Sequence, residues 1–271
     1  MMNALSDTWQ IVLRDLRARI RMPVFIFMTL FQPILWLVLF SQIFKSTLGG
    51  GVGGISIWGP GVSYLQGFAP AVIVMTVLFG SAFAGFGTLM DIDAGIMAKM
   101  LATPVNRVSI ITGRVTATVV VGIVQALVVF VVAAIMGVHV KTGLPGMLLV
   151  FLLVALLGMG FAAFSNGLAL LLRRQETVMA VVNLFTMPLM FMSTMMMPAT
   201  VNNNGVIVRI LPHWLDVVRH YNPVDYAIVG VRDLVLHGYV WSDLWKSLVV
   251  LCAFAVVMVV FGTLMFRTKA E

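Results

Sequence analysis

Charge is what this chain has least of. Of its 271 residues only 10% are Asp, Glu, Lys or Arg and 61% are hydrophobic, giving a mean hydropathy of +1.06. Soluble domains carry about 25% charged residues, so this composition excludes a water-soluble globule. Cysteine is nearly missing too: Cys252 stands alone inside the last apolar run. That excludes a disulfide framework and a cysteine metal site, and leaves a small buried hydrophobe as the expectation. No GxxxxGK[ST] sequence occurs, and the glycine run Gly49 to Gly54 lacks the Lys-Ser/Thr pair of a phosphate-binding loop, so it reads as an external linker. His139, His213, His220 and His237 are spaced too irregularly for a metal centre. The net charge of +7 would suit nucleic acid if it formed a stripe, but the basic residues sit at the ends of apolar runs, where membrane topology explains them.

What the chain does have is apolar runs near the length of about 20 residues that a helical span takes, repeated from end to end. They predict one all-α polytopic unit over residues 1–271, a helical bundle and not a barrel, with six spans. The spans are Pro23 to Phe44, Gly67 to Leu89, Val108 to Met136, Leu144 to Leu172, Thr177 to Met197 and Lys246 to Phe266. Arg14, Arg17, Arg19 and Arg21 precede the first run with no small-residue cleavage site after it, so it is expected to stay as span one, kinked at Pro33. Trp58 and Tyr64 suit the interfacial aromatic belt. Span two carries Gly80, Ser81, Ala82, Ala84, Gly85 and Gly87, small residues that let backbones approach in lipid. The run Met187 to Pro198 combines two prolines with clustered methionines, flexible enough for varied apolar shapes.

Three segments stand apart from the spans. Residues 6–22 place Trp9, Val12, Leu13, Leu16 and Ile20 at helical spacing with arginines between them, the pattern of a helix lying in the headgroup plane. The polar interruption Met90 to Arg114 puts Asp91 and Asp93 at an expected helix start, Ile96, Met97, Met100 and Leu101 on one apolar face, and a stop at Pro104, with Arg107 and Arg114 marking the membrane surface. Residues 199–245 are too polar to span and too apolar for a plain loop; they read as two short, half-buried helices broken at Pro223. With the amino terminus inside, Arg14, Arg17, Arg19, Arg21, Lys99, Arg107, Arg114, Arg173, Arg174, Arg267 and Lys269 face the cytoplasm, against Lys45, Lys141, Arg209, Arg219, Arg232 and Lys246 outside. This bias puts both termini in the cytoplasm and all four histidines outside.

The residues Asp93, Gly95, Leu101, Ala102, Thr103, Pro104, Val105, Asn106, Arg107, Gly113 and Arg114 resemble the coupling-helix loop of type 2 ABC exporter permeases, with Asp93 where Glu is usual and with Ile96 and Ala98 replacing the common Thr and Glu. Two later stretches add to the resemblance. Pro188, Phe191 and Ser193 match a Pro-x-x-Phe-x-Ser segment, and Asn222, Pro223, Tyr226, Arg232 and Gly238 match a signature of the re-entrant hairpin before the last span. Size and motif set are similar to the daunorubicin-type drug-resistance permeases, and lipo-oligosaccharide exporters share them.

The resemblance implies a permease subunit in a bacterial cell membrane that moves an amphipathic drug, lipid or glycolipid-like molecule outward. It implies no catalytic residue, metal or cofactor on this chain; ATP and Mg would be held by separate ABC ATPase subunits docked on residues 91–107, through Asp91, Asp93, Gly95, Met97, Leu101, Thr103, Pro104 and Arg107. The other partners implied are a second permease copy and membrane lipid. Phe191, Ser193, Met195, Asn222, Pro223, Tyr226 and Arg232 are the candidates for the pathway or the re-entrant hairpin at 199–245, and spans two and five for lining the route. Two other classes stay open: an ion-coupled secondary transporter, which needs ionisable residues deep in the spans, and a lipid-modifying membrane enzyme using Asp216, Asp225, Asp233, His213, His220 and Arg232. In a Cys252→Ala background, His220→Cys is expected to react with an impermeant maleimide added outside intact cells; labelling from the cytoplasm alone would invert the topology.

Overall fold

The computed structural model describes residues 4–21, 23–47, 58, 62–102, 107–195, 200–203, 206–209 and 212–269. The elements run α1 (Ala4–Ile20), α2 (Pro23–Thr47), α3 (Tyr64–Ala82), α4 (Gly85–Asp93), α5 (Ile96–Leu101), α6 (Arg107–Ile135), α7 (Gly143–Leu172), α8 (Gln175–Phe191), β1 (Thr200–Asn203), β2 (Val206–Arg209), α9 (His213–Arg219), α10 (Pro223–Leu236) and α11 (Trp241–Lys269). The architecture is helical, as the composition demands; β1 and β2, not foreseen from the sequence, pair antiparallel as the sole strands among the described residues. Among the described residues, five stretches are long and apolar enough to cross a membrane: Ile26–Ile43, Tyr64–Asp93, Val108–Ile135, Gly143–Leu172 and Trp241–Thr268. The run expected as a fifth of six spans forms α8, whose 17 residues fall short of the usual span. The glycine linker at residues 49–54 lies outside the described residues.

Helix α7 is the core element, packed against α3, α6, α10 and α11. Its meeting with α11 depends on residues without bulk. A Cβ at Gly167 would come 2.9 Å from the ring of Phe261, and one at Gly262 would come 2.8 Å from the carbonyl of Ala163. Such spacing lets two backbones approach where no water drives association, so dispersion over the close seam replaces the hydrophobic effect. The rest of α11 turns outward: Val249, Val256, Val257, Val260 and Leu264 are exposed. Cys252 lies on that exposed surface and is not buried as expected, since an apolar position on a peripheral helix can face lipid at no cost.

The second span is not one uninterrupted helix. It starts at Tyr64 under a Ser63–Gln66 capping box, stops after Ala82 and restarts at Gly85. Across the break, Ala84 donates to Ser81 and Phe86 to Phe83, three residues back instead of four. The N–H of Gly85 goes sideways to Ser165 Oγ on α7 at 2.9 Å, and a Cβ at Gly85 would collide with the carbonyl of Ser165. Gly85, whose helix preference is weak and which has no side chain to obstruct the approach, makes this sideways bond cheap. Trp58 and Tyr64, read from the sequence as interfacial aromatics, are buried with 7% and 4% exposure, because they pack at the amino-terminal end of α3.

Helix α1 lies along α6 with Ile11 and Val12 buried, while Trp9 and Ile20 point outward, so its packed face is narrower than the sequence pattern suggested. Gly113 of α6 leaves the room, since its Cβ would stand 2.8 Å from Ile11. Gly262→Val is expected to lower the stability of the detergent-purified chain by about 1–3 kcal/mol through overpacking against Ala163. Gly87→Val, at a position where a Cβ meets nothing within 4 Å, should leave the thermal midpoint unchanged.

Candidate functional site: polar networks at the two ends of the bundle

At the end of the bundle where α1, α4 and α6 meet, one carboxylate holds two guanidiniums. Asp91 Oδ1 accepts from Arg14 Nη2 of α1 at 2.7 Å, and its Oδ2 accepts from Arg114 Nη2 of α6. Arg114 also donates to Thr88 Oγ1 at 3.1 Å; Thr88 donates to Asn166 Oδ1 of α7, and Asn166 Nδ2 to the carbonyl of Ala162. Arg19 reaches Thr118 Oγ1 at 2.9 Å. Burial raises the Asp15 carboxyl above the usual carboxylate range against the pull of Arg114 and Arg14, and burial also lowers Arg19.

This geometry corrects two expectations. Asp91 and Asp93 end α4 instead of starting a helix, and a helix carboxyl end repels negative charge, so Asp91 needs its two cations there. Arg114, expected at the membrane surface, has 5% exposure within the third span, because Asp91 and Thr88 supply the partners that let it leave water. Between α4 and α5 the chain reverses at Gly95, with φ +66, a left-handed conformation that glycine adopts without a steric penalty. Met97 of α5 is buried against Ile11, Ile110 and Ile111, while Ala98 and Lys99 face outward. Leu101 and Arg107 belong to α5 and α6; Thr103 and Pro104 lie outside the described residues.

The second network closes the opposite end. Arg232 of α10 is 7% exposed; its Nε donates to the carbonyl of Gly67 at 3.1 Å and its Nη2 to that of Thr194 at 2.7 Å, and its guanidinium lies 4.3 Å from the centre of the Trp58 ring. Burial lowers this guanidinium to about 10, so it stays charged at neutral pH. Asp225 Oδ1 accepts from both N and Oγ1 of Thr194 at 2.7 and 2.6 Å, and Arg219 bridges Asp225 and Asp216. Asn222 caps α10 through the N–H of Val224, with Pro223 at the first helical position, and its Nδ2 donates to the carbonyl of Leu189 at the end of α8. Ser193 and Met195 are buried beside them, Tyr226 bonds the carbonyl of His220, and Phe191 stays 61% exposed. The structure thus joins Ser193, Asn222 and Arg232, from motifs far apart in sequence, and leaves Phe191 out. Sequence reasoning missed Thr194, Thr88, Ser165 and Asn166; the last two are visible as polar residues in the middle of a 30-residue apolar helix.

A family model described as ABC-2 type transporter matches residues 6–236, which include both networks. The chain belongs to the ABC-2 type transporter family. Among its relatives is the transport permease ycf38, so named, of Cyanophora paradoxa, 27% identical over 80% of this chain and 70% of that protein. The daunorubicin resistance ABC transporter permease protein DrrB1 of Streptomyces coeruleorubidus is 24% identical over 97% of this chain and 86% of its own. DrrC of Mycobacterium tuberculosis, named for doxorubicin resistance, is 26% identical over 69% and 64%. As an ABC-2 type transporter the chain is a multi-pass membrane permease subunit. In this transporter, Asp91→Asn would leave buried Arg114 without its countercharge and is expected to cost about 3 kcal/mol, read as a lower thermal midpoint in detergent. Asp93→Asn, on an exposed side chain, should leave that midpoint in place.

Proposed function

We propose that this permease exports an amphipathic drug, lipid or glycolipid-like molecule, driven by separate ABC ATPase subunits that dock on α5 and the corner before it. The single observation that carries this reading is the tie from that corner into the bundle. Asp91 lies four residues before Gly95 and binds both α1 and α6, while Met97 pins the inner face of α5 and Lys99 is offered outward. A push on the exposed face of α5 is therefore passed to three helices at once, a rigid-body transmission. ATP and Mg belong to the docked subunit in this scheme, and this chain carries no catalytic step.

In the proposed topology α8 completes six spans, residues 6–22 lie at the headgroups, both termini face the cytoplasm of a bacterial cell, and 199–245 forms a re-entrant hairpin outside. Support comes from charge: Arg173, Arg174 and Glu176 stand at the turn between α7 and α8, at the same end as the Asp91 network, and His139, His213, His220 and His237 are exposed toward the other. The cargo route is placed at a cavity of about 440 Å³ between α2, α3, α4 and α8, where Met28, Met75, Phe79, Met179 and Met187 meet Gln32 and Asn183 with no charge among the lining residues. The exposed apolar faces of α2 and α8 flank that cavity and suit a second permease copy, so the working unit is taken as a dimer. An ion-coupled mechanism fits less well, because Asp91 and buried Arg114 neutralise each other at one end of the bundle. The enzyme reading loses its acids to structural bonds: Asp216 and Asp225 to Arg219, and Asp233 to His237.

The test is co-purification of the permease with its ATPase in nanodiscs, with Lys99→Cys in a Cys252→Ala background as the crosslinking site. A crosslink to the ATPase is expected. No association, with the chain stable alone, would sink the exporter reading. Gly95→Ala, which forces a side chain into left-handed backbone at a cost of about 1 kcal/mol, should keep ATP hydrolysis and lower transport per ATP.

A further inference from the structure

A second cavity, of about 230 Å³, lies at the Asp91 end of the bundle, and its lining includes Arg14, Arg19, Arg114, Asp15 and Asp91. Three guanidiniums against two carboxylates leave one net positive charge. Both oxygens of Asp91 are already taken by arginines. Arg114 is 5% exposed, and its Nε is buried with no partner among the described residues. Burial raises the Asp15 carboxyl, which tips the balance further toward positive as pH falls. The chemistry that completes this cavity is an acceptor bearing one negative charge.

The cavity does not end in polar residues. Gly80, Phe83 and Phe86 line both it and the uncharged methionine-rich cavity between α2, α3 and α8. Gly80 has no side chain to divide them; even a Cβ there would meet only the flexible end of Gln125 within 4 Å. We infer that the two cavities form one site for an anionic amphiphile, with a singly charged phosphodiester headgroup among Arg14, Arg19 and Arg114 and the apolar body along Phe83, Phe86, Met75 and Met179. A phosphodiester matches the net charge, and its oxygens suit the forked donors of arginine. A purely apolar ligand would leave the one net positive charge uncompensated and Arg114 Nε without an acceptor, and a cation would meet net positive charge. That this amphiphile is the exported cargo rests on the exporter reading above; the site itself does not.

The permease is reconstituted with its ATPase in nanodiscs of nine parts phosphatidylcholine to one part phosphatidylglycerol, and the lipid retained on re-extraction into detergent is quantified by mass spectrometry. The retained ratio of phosphatidylglycerol to phosphatidylcholine is expected to be about tenfold above the bulk ratio, equivalent to about 1.4 kcal/mol. Arg19→Gln, which removes one positive charge while its amide can still reach a hydroxyl, should bring retention back to the bulk ratio. Gly80→Val should do so without changing any charge, by closing the junction. A bulk lipid ratio in the parent protein, or enrichment surviving both substitutions, would overturn the inference. Displacement of the lipid by free glycerophosphoglycerol, the headgroup diester without its chains, at equal concentration would also overturn it, by showing that the headgroup cavity acts alone. The Lys99 crosslink is read in the same samples: an intact crosslink without enrichment sinks this site alone, and enrichment without a crosslink leaves the site and removes the cargo role.

Discussion

One carboxylate largely withdrawn from water sets the terms for the rest of this fold. Asp91 sits at the carboxyl end of α4, where the backbone dipole opposes it, and away from most water, where its own charge opposes it. Neither position is tenable without cations. Arg14 and Arg114 meet that need from two different helices, so satisfying one side chain fixes α1 and α6 against α4. The same bond permits Arg114 to lie inside the bundle, and through Thr88 and Asn166 the constraint passes on to α7. A charge that cannot stand alone thereby selects one arrangement of four helices.

The far end repeats the logic with the signs exchanged. There the buried group is a cation, Arg232, and its acceptors are backbone carbonyls of Gly67 and Thr194 with the ring of Trp58. Asp225 does not touch it directly; it holds Thr194 in place from the other side. Chain segments remote in sequence, before α3 and after α8, are thus stitched to α10 by polar bonds, while the apolar length between the two ends is held by close packing alone.

Much of this was legible in the residues. Scarce charge and repeated apolar runs of helical-span length are sufficient for a helical membrane bundle, since such a run satisfies its own backbone in lipid only as a helix. The break at Pro223 follows from local chemistry, whereas the turn at Gly95 interrupts what reads as one helix from Asp91 to Leu101. What could not be read depends on neighbours distant in sequence. Asp91 looks like a helix start because its dipole position is judged locally, and only the approach of Arg14 and Arg114 makes a helix end acceptable. Cys252 looks like core because an apolar run does not say which side of a helix meets protein and which meets lipid. The Thr88, Ser165 and Asn166 contacts were missed because single hydroxyls and amides in apolar runs reveal a partner only when the helices are packed.

The interruption at Phe83 and Ala84 has a mechanical meaning. Above it, α3 is buried almost throughout; below it, the nine residues of α4 form a segment about 13 Å long by helical rise. In the proposed transmission, a joint at that point lets α4 act as a lever with its fulcrum at the Gly85 to Ser165 bond and its load arm ending beside Gly95. A tilt of about ten degrees there would carry the α5 end by about 2 Å, the scale of known helix shifts, and would leave the upper span in register with α7.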